Sequence, residues 1–352
     1  MRNDYALLEK EILKILKVNY LNSLSEIKKD TVPFIADVLN LFSQDKIKEP
    51  HKYFYYLYAL NDNLFEPMKA RAYKNYCDGS GSELEFKMKA LRSSSAMTYN
   101  LFGNCDLVEI NGSKILSSGN FRVEFEKKLP TLYRGGSANL DAFLTKEDGT
   151  EIIACEMKMC EWLFNEPVYM NEAYIGEDYK NPQNKINRYF NKDTSNMFID
   201  IAKQLLKGED DYKITNGTKA YTPKAVQYDA IQIFRHILGC YNYCCKEENK
   251  SVKKLTLINC VWNLKNSNSI GNDYLRNLYS EKEVSELTEF QTIFDKEMID
   301  KIAMMFKTIN PDFEFDIKFI YFYDFSNMIS YPKEKNDKHL RHKAYIDKRY
   351  NF

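Results

Sequence analysis

The sequence predicts an α/β protein of the α+β kind, with strands grouped mid-chain and helices before and after them. Three observations lead there. Helical periodicity fills both flanks, three strand patterns follow one another between residues 121 and 159, and 44% hydrophobic with 28% charged residues is ordinary globular composition. A chain of 352 residues buries one large core or two smaller ones and leaves surface for a cleft. Its 50 Lys and Arg balance 50 Asp and Glu, so any nucleic-acid surface has to be a local patch rather than a global basic excess. No apolar run approaches the roughly 20 residues that cross a bilayer, and the opening MRNDYALLEKEILKIL reads as an amphipathic helix, not a signal peptide. The eight cysteines lie mostly inside apolar runs, the usage of a reducing compartment, and a cytoplasmic protein is expected.

Leu8, Ile12, Ile15 and Leu16 recur at helical spacing, as do Phe34, Val38, Leu41 and Phe42 behind Pro33, giving an N-terminal helical region over residues 1–76. The aromatic run 52–60 is expected to pack it. A Gly- and Ser-rich stretch, 77–104, marks a boundary, and Ser82 with Glu85 forms a capping box that predicts a helix start, with a second start at Ser93–Ser95. Capping accounts for Glu85 but leaves Glu83 unexplained. Strands follow at 121–129, 138–145 and 151–159, the last two joined across Asp148 and Gly149, a hairpin signal that makes them antiparallel neighbours. Residues 165–222 read as a polar insertion with helical pieces such as 196–208. The stretch 225–245 puts Val226, Ala230, Ile233, Ile237 and Tyr241 on one helical stripe, with Gln232, Arg235 and His236 as a polar edge. Buried strands are expected at 254–264 and 315–325. Cys240, Cys244 and Cys245 lack a second Cys or His pair at zinc spacing, and four histidines are too few for most histidine-based hydrolases. The basic C-terminal run 331–352, with His339 and His342, is either a phosphate-contacting surface or a solvated terminal helix or tail.

Charges inside the strands carry the chemistry. Side chains alternate along a strand, so Glu156 and Lys158 share a face with Ala154, and Asp141 reaches that face from the next strand when the register allows. Two carboxylates and an ammonium then converge at the open end of a hairpin. Such a set suits a hard cation, taking oxygen from Asp141, Glu156 and the backbone carbonyl of Met157, with positions left for water and phosphate. The alternative is a buried ion pair of Lys158 with one acid, which seldom adds net stability and leaves the second acid unmatched.

Asp141, the hairpin and Glu156-Met157-Lys158 together resemble the D…ExK signature of the PD-(D/E)xK nuclease superfamily, and the surrounding order of helix, three strands, helix and strand is similar to its fold. The resemblance, over about half of the chain, implies a restriction-endonuclease-like core at 77–265, a central mixed sheet flanked by helices, followed by a C-terminal extension, 266–352, with one more strand and a basic tail. GSGSEL and RSSSAMTYNLFG resemble the upstream helix region of a bacterial branch, which implies Glu83 as an acid at the metal site. QIFRHILG resembles the Gln- and Arg-bearing helix of that branch, which implies Gln232 and Arg235 as supporting or phosphate-facing groups, with Glu161 a further acid nearby. One departure is Leu140, where the superfamily places proline before its first acid. The implied activity is Mg²⁺-dependent phosphodiester hydrolysis, Mn²⁺ substituting, on nucleic acid expected to be DNA, of the restriction or anti-phage type. Asp141 and Glu156 would hold the ion and Lys158 would orient or deprotonate the attacking water; cutting both strands implies a homodimer. The competing expectation is a degenerate nuclease fold acting as a nucleic-acid or protein binding module.

Overall fold

The computed structural model describes residues 2–24, 34, 55–79, 83–84, 86–103, 106–113, 115–131, 137–164, 167–175, 192–331 and 337–350. Its helices are α1 (Arg2–Ser23), α2 (Ala70–Asp78), α3 (Ser94–Phe102), α4 (Glu161–Phe164), α5 (Lys192–Gln204), α6 (Ala230–Cys244), α7 (Asp273–Ile293), α8 (Lys296–Lys307), α9 (Phe322–Met328) and α10 (Lys338–Tyr350). The strands are β1 (Leu107–Ile110), β2 (Gly119–Pro130), β3 (Ser137–Lys146), β4 (Glu151–Lys158), β5 (Met170–Asn171), β6 (Tyr212–Thr215), β7 (Thr218–Tyr221), β8 (Lys254–Val261), β9 (Glu314–Tyr321) and β10 (Ile329–Ser330).

Seven strands form the main sheet in the order β10-β1-β2-β3-β4-β8-β9, and a smaller sheet runs β5-β7-β6. Pairing is antiparallel from β10 to β4 and parallel from β4 through β8 to β9, the mixed, helix-flanked sheet of a restriction-endonuclease-like fold. β4 and β8 are apolar and buried almost throughout because helices cover both of their faces. The β3–β4 turn closes as the sequence predicts: Gly149 takes a left-handed φ of 73°, and Asp148 Oδ1 accepts from Thr150 N at 2.9 Å.

Two cores lie on opposite faces of the sheet. One gathers Leu8, Ile12 and Leu16 of α1, Phe102 of α3 and Ile346 of α10 over Phe125, Leu144, Ile153 and Cys155. The other packs Phe198 of α5, Phe234 and Ile237 of α6 and Ile302 of α8 over Leu140, Phe143, Ala154 and Leu257. Cys240 and Cys244 belong to this second core, and burial holds their thiols above the ordinary range, so they serve as small hydrophobes.

Several expectations change. The Ser82 and Glu85 capping pair lies outside the described residues, as do Val38, Leu41 and Phe42. The second of the two expected helix starts is present: the helix upstream of the meander begins at Ser94, where Ser93 Oγ accepts from Ala96 N at 3.1 Å, and Glu83 sits in a turn before it. Of the aromatic run, Tyr56 and Leu57 form isolated strand bridges to Ala90 and Phe34 rather than helix. α6 starts at Ala230, leaving Val226 exposed, because Asp229 caps it by accepting from Gln232 N. The insertion 165–222 carries a β-hairpin as well as α5. Over α10 the basic C-terminus is a packed helix, not a tail, and it keeps His339, Arg341 and Lys348 exposed. His342 is stacked between Tyr331 and Phe65 at 4.0 and 4.5 Å, and buried Arg349 reaches Asn63. Gly103 makes that docking feasible, since a Cβ there would lie 2.6 Å from the His342 ring. Among the described residues no helix is long and apolar enough to cross a membrane.

Candidate active site

The site forms where β2 and β3 exchange faces. Phe121, Val123 and Phe125 of β2 enter the first core and Leu129 the second; in β3, Ala142 and Leu144 enter the first and Leu140 the second. Between them Glu126 adopts φ 47°, a left-handed conformation uncommon for a non-glycine residue, while the register runs on from Phe125↔Ala142 to Lys127↔Leu140. Glu126 and Asp141 are thus the residues on either side of the switch. One step beyond the last β3–β4 pair, Ala142↔Cys155, stand Asp141 and Glu156. There the strands part, and Asp141 Oδ2 replaces a backbone carbonyl by accepting from Met157 N at 2.7 Å.

Four acids crowd this point. Burial, then the charges of Glu156 and Glu126, raises the Asp141 carboxyl well above its usual range. Burial, then Glu83 and Glu156, pushes Glu126 up to about 8. Glu83 joins through Ser95, whose Oγ donates to Glu83 Oε2 at 3.0 Å and also hydrogen-bonds Glu126; Lys87 Nζ lies 2.7 Å from Glu83 Oε1. Gly79 lets α2 end against Glu126, because a Cβ at that glycine would sit 3.2 Å from the Glu126 Cβ. Tyr76 of α2 ties the roof down by donating to Ser95 O at 3.1 Å.

Glu156 is different. Burial opposes its ionisation, yet Lys158 and His236 hold it down at about 2. Lys158 Nζ lies 2.8 Å from Glu156 Oε1, Gln232 Nε2 donates to the same oxygen at 2.8 Å, and Lys158 donates to Gln232 Oε1. His236 Nε2 is 2.8 Å from Glu156 Oε2, a close contact outside hydrogen-bond alignment, and its Nδ1 meets no partner. Despite burial, Glu156 drives the Lys158 pKa up, so this lysine is an ammonium. Both the ion pair and the acid cluster anticipated from spacing are therefore present, side by side.

The other sequence-derived residues surround this centre. Arg235 Nη2 donates to Ser137 O at 3.0 Å, fastening α6 to the start of β3. Glu161 Oε2 accepts from Met159 N at 2.7 Å, holding the turn after β4, where its charge still bears on Lys158. Glu126 and His236 escaped sequence reasoning. Glu126 looked like the solvent side of an alternating strand, and His236 like the exposed edge of a helix, but it is 1% exposed. Pairing the strands would have exposed the first, since the hairpin register sets Glu126 against Asp141.

Hard oxygen donors short of positive charge suit Mg²⁺. Among the described residues no three His, Cys, Asp or Glu side chains form a ready-made metal cage, and Mg²⁺ commonly takes only one or two carboxylates, with water and phosphate completing its shell. Glu126 and Asp141, both pushed up by burial and then by neighbouring carboxylates, are the groups a cation would relieve.

Residues 37–258, more than half of the chain, match the family model described as Restriction Endonuclease associating with ARP. No curated protein and no solved structure matches significantly.

Proposed function

The chain belongs to the family described as restriction endonuclease associating with ARP, a nuclease-type family, and from that premise we propose that it is a Mg²⁺-dependent endonuclease acting on duplex DNA. The observation that carries this reading is the meeting of Asp141, Glu126 and Glu156 with the Lys158 ammonium at the point where β3 and β4 part. Asp141, Glu156 and Glu126, with Glu83 behind Ser95, are the carboxylates that would hold the ion, which when bound polarises the phosphate and makes water more acidic. Lys158, charged and paired with Glu156, is poorly suited to accept a proton. Its role here is to orient the attacking water and offset charge growing on the phosphate oxygens. Gln232 bridges Lys158 and Glu156, fixing both against α6. One centre cuts one strand, so double-strand cleavage takes two copies.

The test is cleavage of duplex DNA, single-stranded DNA and RNA with Mg²⁺, with Mn²⁺ and with chelator. Metal-dependent cutting of duplex DNA that falls at least ~100-fold in Asp141→Asn supports the reading. Retained binding with no cutting of any substrate by either metal would instead leave a nuclease fold used for binding.

A further inference from the structure

We propose that the β6–β7 hairpin is a DNA-contacting ribbon that enters the major groove of the duplex; this rests on the nuclease reading above. The ribbon closes on Asn216 and Gly217, both left-handed with φ 51° and 78°, and pairs Tyr212↔Tyr221, Lys213↔Ala220, Ile214↔Lys219 and Thr215↔Thr218. Among the described residues β6 is exposed along its whole length, and Ile214 is 71% exposed. A bare edge strand with an apolar side chain is a liability that folds usually blunt, so its retention calls for an occupant.

The charge pattern says which. Residues 212–221 carry Lys213 and Lys219 and no acid; Glu209, Asp210 and Asp211 lie at the base, where Asp211 is tied to Thr222. Each lysine stands over a tyrosine ring, Lys213 at 3.4 Å from Tyr169 and Lys219 at 4.4 Å from Tyr212, one on each face of the ribbon. Such stacking holds an ammonium in place without neutralising it, leaving it available to a phosphate. Four residue pairs project about 13 Å, and the major groove of B-DNA, roughly 8.5 Å deep, admits a two-stranded ribbon. With a lysine on either face, the ribbon can meet both groove walls, Ile214 lying beside Lys219 on one of those faces.

The ribbon is mounted on the catalytic helix. β7 pairs with β5, the turn after β5 carries Tyr174, and the Tyr174 ring packs 6.0 Å from Phe234 of α6, which lies between Gln232 and His236. Tyr174 is held further by Thr131, 3.2 Å away at the end of β2. DNA engaged by the ribbon is thereby referenced to the residues that hold Lys158 and Glu156.

The experiment is fluorescence anisotropy on a labelled duplex in chelator, across a salt series, comparing the full chain with Lys213→Glu/Lys219→Glu, the milder Lys213→Gln/Lys219→Gln, and Lys250→Glu as an exposed control. The expected result is affinity at least ~10-fold lower for the charge reversal, an intermediate loss for the glutamines, and a slope of log K against log salt reduced by about 2, with the control unchanged. Duplex RNA should compete poorly, because its major groove is too narrow for the ribbon. Unchanged affinity and slope, in variants of unchanged melting temperature, overturn the ribbon alone if the wild type binds and cuts duplex DNA. A changed oligomeric state with DNA binding intact also overturns it, assigning the β6 edge to self-association. A wild type that neither binds nor cuts duplex DNA overturns the ribbon and the nuclease reading together.

Discussion

Neutralising Glu126 should stabilise the metal-free protein while weakening its hold on metal. Glu126→Gln leaves the backbone conformation in place and removes only the acid. In the folded chain that carboxyl is pushed from an ordinary 4.5 up to about 8, mainly by burial and then by Glu83 and Glu156. A folded-state pKa raised in this direction means that the native state binds the proton more tightly, so the penalty is absent below about pH 4.5, grows as pH rises, and levels off above about 8. At pH 7 the penalty spans roughly 2.5 pH intervals at about 1.4 kcal/mol each, a ceiling of about 3–4 kcal/mol. With about 2.1 cal/mol/K of unfolding entropy per residue over 352 residues, that corresponds to a melting temperature up to ~5 °C higher in the variant. Thermal unfolding in chelator from pH 5 to 8.5 should show the two proteins converging at the acid end and diverging toward the alkaline end. In cleavage assays the variant should need more Mg²⁺ for half-maximal rate. A variant that melts lower, or a gap that does not vary with pH, refutes the crowding argument; an unchanged Mg²⁺ requirement removes Glu126 from the ion.

Asp141→Asn should leave the metal-free protein as stable or more so, whereas Glu156→Gln should destabilise it by about 3 kcal/mol by stripping the buried Lys158 of its counter-charge; equal shifts in denaturant midpoint would contradict the asymmetry. Lys158→Ala should abolish hydrolysis with Mg²⁺ affinity unchanged or tighter in calorimetric titration, and a parallel loss of affinity would mean the lysine supports the ion. Glu83→Gln should raise the Mg²⁺ requirement less than Glu126→Gln does, because it acts through Ser95, and the reverse order would make Glu83 the nearer acid. Glu286 of α7, buried and pushed up to about 8 by burial against the opposing charge of Lys158, adds a second alkaline penalty, so Glu286→Gln should flatten the fall in urea midpoint between pH 5 and 8.5; parallel slopes would show that it is not the source.

The sequence by itself determined strands β2, β3, β4, β8 and β9, the hairpin that pairs β3 with β4, and the Asp141, Glu156 and Lys158 constellation, because each depends on local patterning and a short turn. Period-2 patterning fixes which residues share a face over a few residues, and Asp148-Gly149 fixes the neighbour. It also marked Gln232 and Glu83, through resemblance rather than periodicity, and Gln232 meets Lys158 and Glu156 directly. Tertiary structure alone decided the rest. Alternation assumes that a strand keeps its faces, and β2 does not: the left-handed Glu126 moves an acid from the apparent solvent side into the centre. His236 and His342 read as surface polar groups because helical spacing cannot tell a solvent edge from one covered by β4 or by Tyr331 and Phe65. Which acid is ionised was likewise undecidable from the chain, since it depends on burial and on neighbours brought from α6 and β2 as well as on Lys158 of β4. Despite burial, Lys158 and His236 hold Glu156 down, whereas burial and the charges of Glu156 and Glu126 push Asp141 up.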